Sequence, residues 1–354
     1  MLFRSGFYKG IWTVPAGSYF EQATVEIELV DAAGNRATAT APGTLSTGPA
    51  PVPAPPPAPV DPVITRISGP DRFATAVEVS KSGWEQAETV ILARADDFAD
   101  ALAGVPLAYK LGAPILLSGP KALRSGIKGE LARLGAGKVL LLGGTGVISE
   151  AVAGELREMG LQVERISGRD RYATAAAIAA RVAPNGADTV LAVSGLDFPD
   201  ALAAASYAAI SGRPILPVSN RIPAPIQESI ESLGVRHTLV VGGPAAVSDD
   251  LLKALPGATR VSGADRYATA VALAEHFGLV SDEVFVAGGL SFADAITGAV
   301  LAARRGCGLL LVGNTVPPEV AAFLSESDIV RITVLGGPAA VDADLVKLLA
   351  TLLR

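Results

Sequence analysis

The chain is poor in the residues on which much site chemistry depends. Of its 354 residues one is cysteine (Cys307), two are histidine (His237 and His276) and 5% are aromatic. A single cysteine excludes an intrachain disulfide. The two histidines are far apart with no cysteine beside either, which argues against a zinc site, so no metal is expected. No stretch reaches about 18 apolar residues, so no membrane span is expected. The opening MLFRSGFYKGIW lacks the apolar core of a signal peptide. Net charge is −6, from 29 Lys and Arg against 35 Asp and Glu. There is no basic run and no interleaving of basic and aromatic residues, so nucleic acid is not expected as a partner.

What is present is small apolar side chains. Half of the sequence is hydrophobic, and with so few aromatics the core must be built from Ala, Val, Leu and Ile. Such residues let helices lie close against a sheet. Three zones follow one another. Residues 1–48 contain VEIELVDAAGNRATATA, in which Val25, Ile27 and Leu29 alternate with Glu26 and Glu28. The alternation predicts a half-buried strand, DAAGN a turn, and RATATA a returning strand. A lone hairpin is marginal in water. The zone therefore reads either as a partial β-sandwich-like fragment or as a disordered tail. Residues 49–62, PAPVPAPPPAPVDP, form a Pro-rich linker. Proline fixes φ and removes a donor, which predicts an extended spacer of roughly 40 Å at ~3.1 Å per residue.

From residue 63 to the end the sequence repeats. RISGPDRFATA at Arg66 returns as RISGRDRYATA at Arg165 and RVSGADRYATA at Arg260. DFADALA at Asp97 returns as DFPDALA at Asp197 and SFADAIT at Ser291. LLLGGTGVIS at Leu140 returns as LVVGGPAAVS at Leu239 and TVLGGPAAVD at Thr333. The units read as 63–160, 161–256 and 257–354, each long enough to own a core. In the first, the strands VITRIS, TVILAR, PILLSG and KVLLLGG alternate with helices over 70–82, 99–111, up to Leu134, and from a cap at Ser149 to Met159. Apolar runs without alternation predict strands covered on both faces, hence a parallel sheet between helices.

Ligands of open α/β folds sit at the strand-to-helix loops on the carboxyl edge of the sheet, and all three landmarks fall there. Asp71, Asp170 and Asp265 are expected in a first helical turn, where the helix dipole favours a carboxylate. Arg72, Arg171 and Arg266 follow them. Either these pairs staple a loop to its neighbour, or the arginines grip a ligand's anion or hydroxyls. Asp100, Asp200 and Asp294 occur in every unit, whereas Asp97 and Asp197 are matched by Ser291. A threefold pair of catalytic carboxylates is thereby disfavoured, and the Asp residues of this landmark are expected to cap the helix or receive an arginine from the first landmark. The pairs Gly143-Gly144, Gly242-Gly243 and Gly336-Gly337 are read as structural turns. They match neither GxGxxG nor GxxxxGK[ST], so no cofactor is expected.

Taken together, the RISG-DRYATA stretch, the FADALA helix and the LLGG-PAAVS turn resemble the cell wall binding repeat type 2 family, which occurs in tandem sets of three on exported proteins of Gram-positive bacteria. The resemblance covers nearly all of 63–354. It implies an α/β fold of three Rossmann-like units closing into an intrachain pseudo-threefold trimer, a monomer overall. It implies non-catalytic anchoring at the cell surface through an anionic cell wall glycopolymer. It places polymer contacts around a PILL motif, here Pro114, Ile115, Leu116 and Leu117, with Pro214, Ile215 and Leu216 in the second unit and a divergent Gly308 to Leu311 in the third. Arg66, Arg165 and Arg260, with Arg72, Arg171 and Arg266, are the candidates for anion contacts. The family usually carries an export signal and an effector module; neither is read here, as in a truncated reading frame. The alternatives are an α/β enzyme or nucleotide-binding protein using the Gly-Gly loops, and a purely structural scaffold.

Overall fold

The computed structural model describes residues 62–197, 199–278 and 281–353, together with the backbone of 26–30 and 36–40. Two units are distinguished, 1–58 and 59–354. In the first, β1 (Glu26–Val30) and β2 (Arg36–Thr40) pair antiparallel with Val30 opposite Arg36. These are the two strands the alternation predicts. The choice between sandwich fragment and tail, and the spacer reading up to residue 61, lie outside the described residues.

The second unit alternates strand and helix throughout. The first repeat contains β3 (Val63–Ile67), α1 (Arg72–Gly83), β4 (Thr89–Arg94), α2 (Ala99–Lys110), β5 (Ile115–Ser118), α3 (Ser125–Arg133), β6 (Lys138–Leu142) and α4 (Glu150–Glu158). The second contains β7 (Gln162–Ile166), α5 (Arg171–Val182), β8 (Thr189–Ser194), α6 (Pro199–Ile210), β9 (Ile215–Val218), α7 (Ala224–Leu233), β10 (His237–Val241) and α8 (Asp249–Ala254). The third contains β11 (Ala258–Val261), α9 (Arg266–Phe277), β12 (Glu283–Gly288), α10 (Ala293–Arg304), β13 (Leu309–Val312), α11 (Pro318–Glu326), β14 (Arg331–Leu335) and α12 (Ala343–Leu352). No helix among the described residues is long and apolar enough to cross a membrane.

The three sheets are parallel, four-stranded and offset from the sequence repeats by one strand. Their orders are β5-β4-β6-β7, β9-β8-β10-β11 and β13-β12-β14-β3. The strand that opens each repeat is thus the edge strand of the preceding repeat's sheet. β3, the first of all, pairs with β14 near the chain end, Val63 opposite Arg331 and Ile67 opposite Leu335. At this closing seam the Thr65 and Thr333 hydroxyls lie 3.0 Å apart. Thr333 donates to Glu283 at 2.6 Å, and Glu283 accepts from Arg305 at 2.9 Å. Four strands per sheet are reached only by this exchange.

The centre is formed by α2, α6 and α10, which pack on one another pairwise. A helix apolar all round belongs in an interior, and Ala99 to Ala108 of α2 are all buried. Small residues make the approach possible. A Cβ on Gly104 would run into Leu142, and one on Gly298 would run into Leu335. In the second repeat the same two positions are Ala204 and Val241, both fully buried. One carbon has moved from the strand side chain to the helix, and the combined volume is kept.

That trade makes a prediction. Gly298→Ala should destabilise the chain by about 1–3 kcal/mol through overpacking, and adding Leu335→Val should recover most of the loss. A double-mutant cycle from denaturant melts measures the coupling; additive effects would show that the two positions do not share this space.

Candidate functional site

The strand order within each sheet fixes where a crevice must open. In β9-β8-β10-β11 the chain passes from β8 to β9 on one side and returns to β10 on the other. The loops after β8 and β10 therefore diverge, and ligands of open α/β sheets sit at such a switch point. A cleft of roughly 380 Å³ lies there, lined by Ser194, Asp197 and Asp200 after β8, Gly243 and Ala246 after β10, and Gly263 to Arg266. The last group belongs to the third repeat. The crevice of one repeat is completed by the loop and helix start of the next, a consequence of the strand exchange.

Most residues of the RISG-DRYATA stretch build that joint. Asp71, Asp170 and Asp265 are N-caps of α1, α5 and α9, not first-turn residues as the sequence predicts: their carboxylates accept from the Ala74, Ala173 and Ala268 amides. Extended backbone at the cap explains the one-residue difference. The Gly69, Gly168 and Gly263 amides donate to the hydroxyls of Thr75, Thr174 and Thr269 at 3.0–3.1 Å. A Cβ at Gly69 would stand 2.5 Å from that of Ala74, so only glycine permits the fold-back.

The strand arginines clip the Gly-Gly turn beside them. Arg66 donates to the Gly336 and Val341 carbonyls at 2.6 and 2.7 Å. Arg165 donates to Gly143 O at 2.9 Å and reaches Glu150. Arg260 donates to Gly242 O at 2.5 Å and to Asp249 at 3.0 Å. The turns need glycine: Gly143, Gly242 and Gly336 have φ of +99°, +105° and +92°, and the Oδ2 atoms of Asp100, Asp200 and Asp294 stand 2.5–2.8 Å from where a Cβ would be. Gly144, Gly243 and Gly337 follow in the same turns without such crowding.

The helix arginines span consecutive repeats. Arg72 donates to Ala95 O at 2.6 Å and lies over the Phe292 ring. Arg171 donates to Gly195 O at 3.0 Å, pairs with Asp97 at 3.2 Å and lies over Phe98. Arg266 donates to Gly289 O at 2.7 Å and lines the 380 Å³ cleft. Beneath them Asp294 is hydrogen-bonded by Thr75, and Asp200 by Thr269. Each of these threonines relays from its glycine amide to a carboxylate of the preceding repeat. Sequence reasoning missed the threonines and the aromatic partners; an arginine reaching an aspartate of the second landmark, as expected, is found at Asp97 with Arg171. The recurring Thr was visible as a signal, but its partner lies in another repeat.

The side chains of the PILL stretch are buried. Pro114 and Pro214 are buried, and the side chains of Ile115, Leu116, Leu117, Ile215 and Leu216 are at most 2% exposed. Those side chains are core, as strands covered on both faces must be. Ser149 likewise precedes its helix as expected but makes no capping hydrogen bond, whereas Ser248 and Asp342 do.

Burial raises the constant carboxyls. Asp100, 8% exposed, is pushed up from 3.8 to about 6 by burial and then by the charge of Asp97, against the opposing pull of Arg171 and Arg94. Asp200 and Asp294 are raised by burial as well. A folded-state value above the unfolded one means the fold binds the extra proton, so stability falls as pH rises through about 6. The Asp100 rise corresponds to roughly 3 kcal/mol. The melting temperature should therefore be higher at pH 5 than at pH 7.5, and Asp100→Asn should reduce that difference; an unchanged difference in the variant would contradict the assignment.

Known proteins share the sequence pattern and the fold. The chain is 31% identical over 283 residues to N-acetylmuramoyl-L-alanine amidase LytC of Bacillus subtilis, covering 79% of this chain and 57% of that one. It is 29% identical over 341 residues to the Amidase enhancer of the same organism, covering 95% and 46%. Among solved structures, Cwp6 from Clostridium difficile superposes with a TM-score of 0.77 at 26% identity, covering 83% of this chain and 48% of that one. Cwp8 from the same organism gives 0.74 at 27% identity, covering 82% and 52%. The chain thus spans about half the length of these relatives. Residues 66–153, 165–252 and 260–346 each match cell wall binding domain 2, and the chain belongs to that family.

Proposed function

We propose that the repeat region anchors its bearer to the cell wall without catalysis, by binding an anionic wall glycopolymer at the carboxyl-edge crevices between consecutive repeats. Family membership supports wall binding in general. The observation that carries the finer reading is the crevice built jointly by two repeats, with a helix arginine on its wall and carboxylates beside it. Such a lining suits polyhydroxylated chains: the carboxylates and backbone carbonyls accept from sugar hydroxyls, and the guanidinium donates to ring, hydroxyl or acidic oxygens. Arg72, Arg171 and Arg266 are assigned this contact. Arg66, Arg165 and Arg260, whose donors already serve turn carbonyls, are assigned to the joints.

The scaffold alternative has support of its own, because the helix arginines also hold neighbouring repeats together. Sedimentation with purified wall separates the two readings. The chain should be retained on intact wall and released into the supernatant once the anionic polymer is chemically stripped. Arg72→Gln, Arg171→Gln and Arg266→Gln together should weaken retention at least tenfold. Equal retention on stripped wall would contradict the proposal.

A further inference from the structure

The three repeats differ most in charge at a second position, beside the helix that follows the RISG-DRYATA stretch. In the second repeat a cleft of roughly 560 Å³ opens between the start of α5 and the loop joining β9 to α7. Its lining includes Arg169, Asp170, Tyr172, Ser219, Arg221 and Gln227, so one carboxylate stands beside the two cations. Arg169 is largely exposed, its side chain at 74%, and reaches only Asp170, at 3.6 Å. Arg221 is exposed, and its guanidinium has no ion-pair partner among the described residues. Apart from the contact of Arg169 with its chain neighbour Asp170, no acidic group among the described residues pairs with either guanidinium.

The other repeats do without them. The residue equivalent to Arg169 is Pro70 in the first and Ala264 in the third; Arg221 is matched by Thr315 in the third and, in the first, whose loop is one residue longer, by Lys121 counted from the strand or Ala122 counted from the helix. In the first repeat the corresponding aromatic, Phe73, is covered by Arg124 at 4.1 Å, which also reaches Asp71 at 3.6 Å. In the third, Tyr267 keeps its ring by Gly289, as Tyr172 does by Gly195, but the loop brings Asn314, Thr315 and Val316 in place of a cation. Among the described residues the second repeat combines a partly buried aromatic with two exposed guanidiniums, one of them paired only with its chain neighbour Asp170, in a chain whose net charge is −6. The pair is therefore not a requirement of the repeat architecture.

We propose that this cleft is a separate subsite for an oxyanion carried on a saccharide, with Arg169 and Arg221 gripping the charged oxygens and Tyr172 lying against the sugar. Guanidinium geometry matches phosphate and carboxylate alike, and an aromatic ring offers an apolar face to a sugar's C–H groups. That the saccharide belongs to a wall polymer rests on the reading above; the cleft itself does not. The subsite makes the repeats unequal, with the second reading the polymer's charge and the crevices reading its hydroxyls.

Three probes test the cleft on the whole chain: glucose 1-phosphate, glucuronate and neutral glucose, followed by amide NMR. At least one charged sugar should shift the Tyr172, Ser219, Arg221 and Gln227 amides, glucose should not, and salt should weaken the effect. Which charged sugar acts decides between phosphate and carboxylate. In Arg169→Gln/Arg221→Gln, checked for an unchanged melting temperature, the shifts should vanish and retention on intact wall should fall about tenfold. No shift with either charged sugar, or equal shifts in the double variant, would overturn the subsite. Shifts in a wild-type chain that wall does not retain would uphold the cleft and overturn wall anchoring instead.

Discussion

Every other feature of the repeat region depends on one backbone pairing: the strand that opens a repeat lies parallel against the sheet of the repeat before it. β7 completes the sheet of β4, β5 and β6, β11 that of β8, β9 and β10, and β3 that of β12, β13 and β14. A repeat taken alone would own three strands and leave the fourth without a partner. The exchange also carries the helix after each strand into the neighbour's crevice. That is why Arg171 meets Asp97, and why Thr269 meets Asp200. The closing seam lets three repeats suffice, since β3 and β14 satisfy the two strands that would otherwise remain at the chain's ends.

Within that frame the three joints are not copies. The 1–2 joint has an ion pair, Asp97 with Arg171, and beside it the most strongly shifted carboxyl, Asp100. The 3–1 joint has Ser291 where the others have aspartate, and its Asp294 is held by Thr75. The interior tolerates the same kind of exchange, Gly104 with Leu142 in one repeat for Ala204 with Val241 in another. Packing fixes total volume and closure of hydrogen bonds, not the identity of each side chain. Where neither constraint acts, on the rims, charge has diverged, and the Arg169–Arg221 cleft is the clearest case.

Much of the fold was legible because its signals are local. Apolar runs marked strands covered on both faces, Gly112, Gly135 and Gly160 marked helix ends at positive φ, and the alternation over 25–29 marked β1. The strand offset was not legible. A repeat in a closed ring has no intrinsic starting point, and sequence gives a strand's existence without its partner. The site was legible in part for the same reason. Asp71 and Gly69 act within a few residues, and their structural roles follow from the pattern. Arg72 and Thr75 act on carbonyls and carboxylates far away in sequence, so a stapling arginine and a ligand arginine look identical until the neighbours are placed. The PIL stretch shows the opposite balance: its apolar run already indicated the burial of its side chains.

The central claim is closure of the ring by β3 on β14 within one chain, and a cysteine pair tests it directly. Thr65 and Thr333 are register partners on the two strands with their hydroxyls 3.0 Å apart, which brings thiols at these positions within reach of each other. The native Cys307 is buried, and burial pushes its thiol up to about 11, which keeps it out of exchange under mild conditions. The chain carrying Thr65→Cys and Thr333→Cys should form an intramolecular disulfide on mild oxidation, stay monomeric in denaturing electrophoresis and melt at a higher temperature than its reduced form. Failure to cross-link, or a disulfide-linked dimer in its place, would contradict closure within the chain.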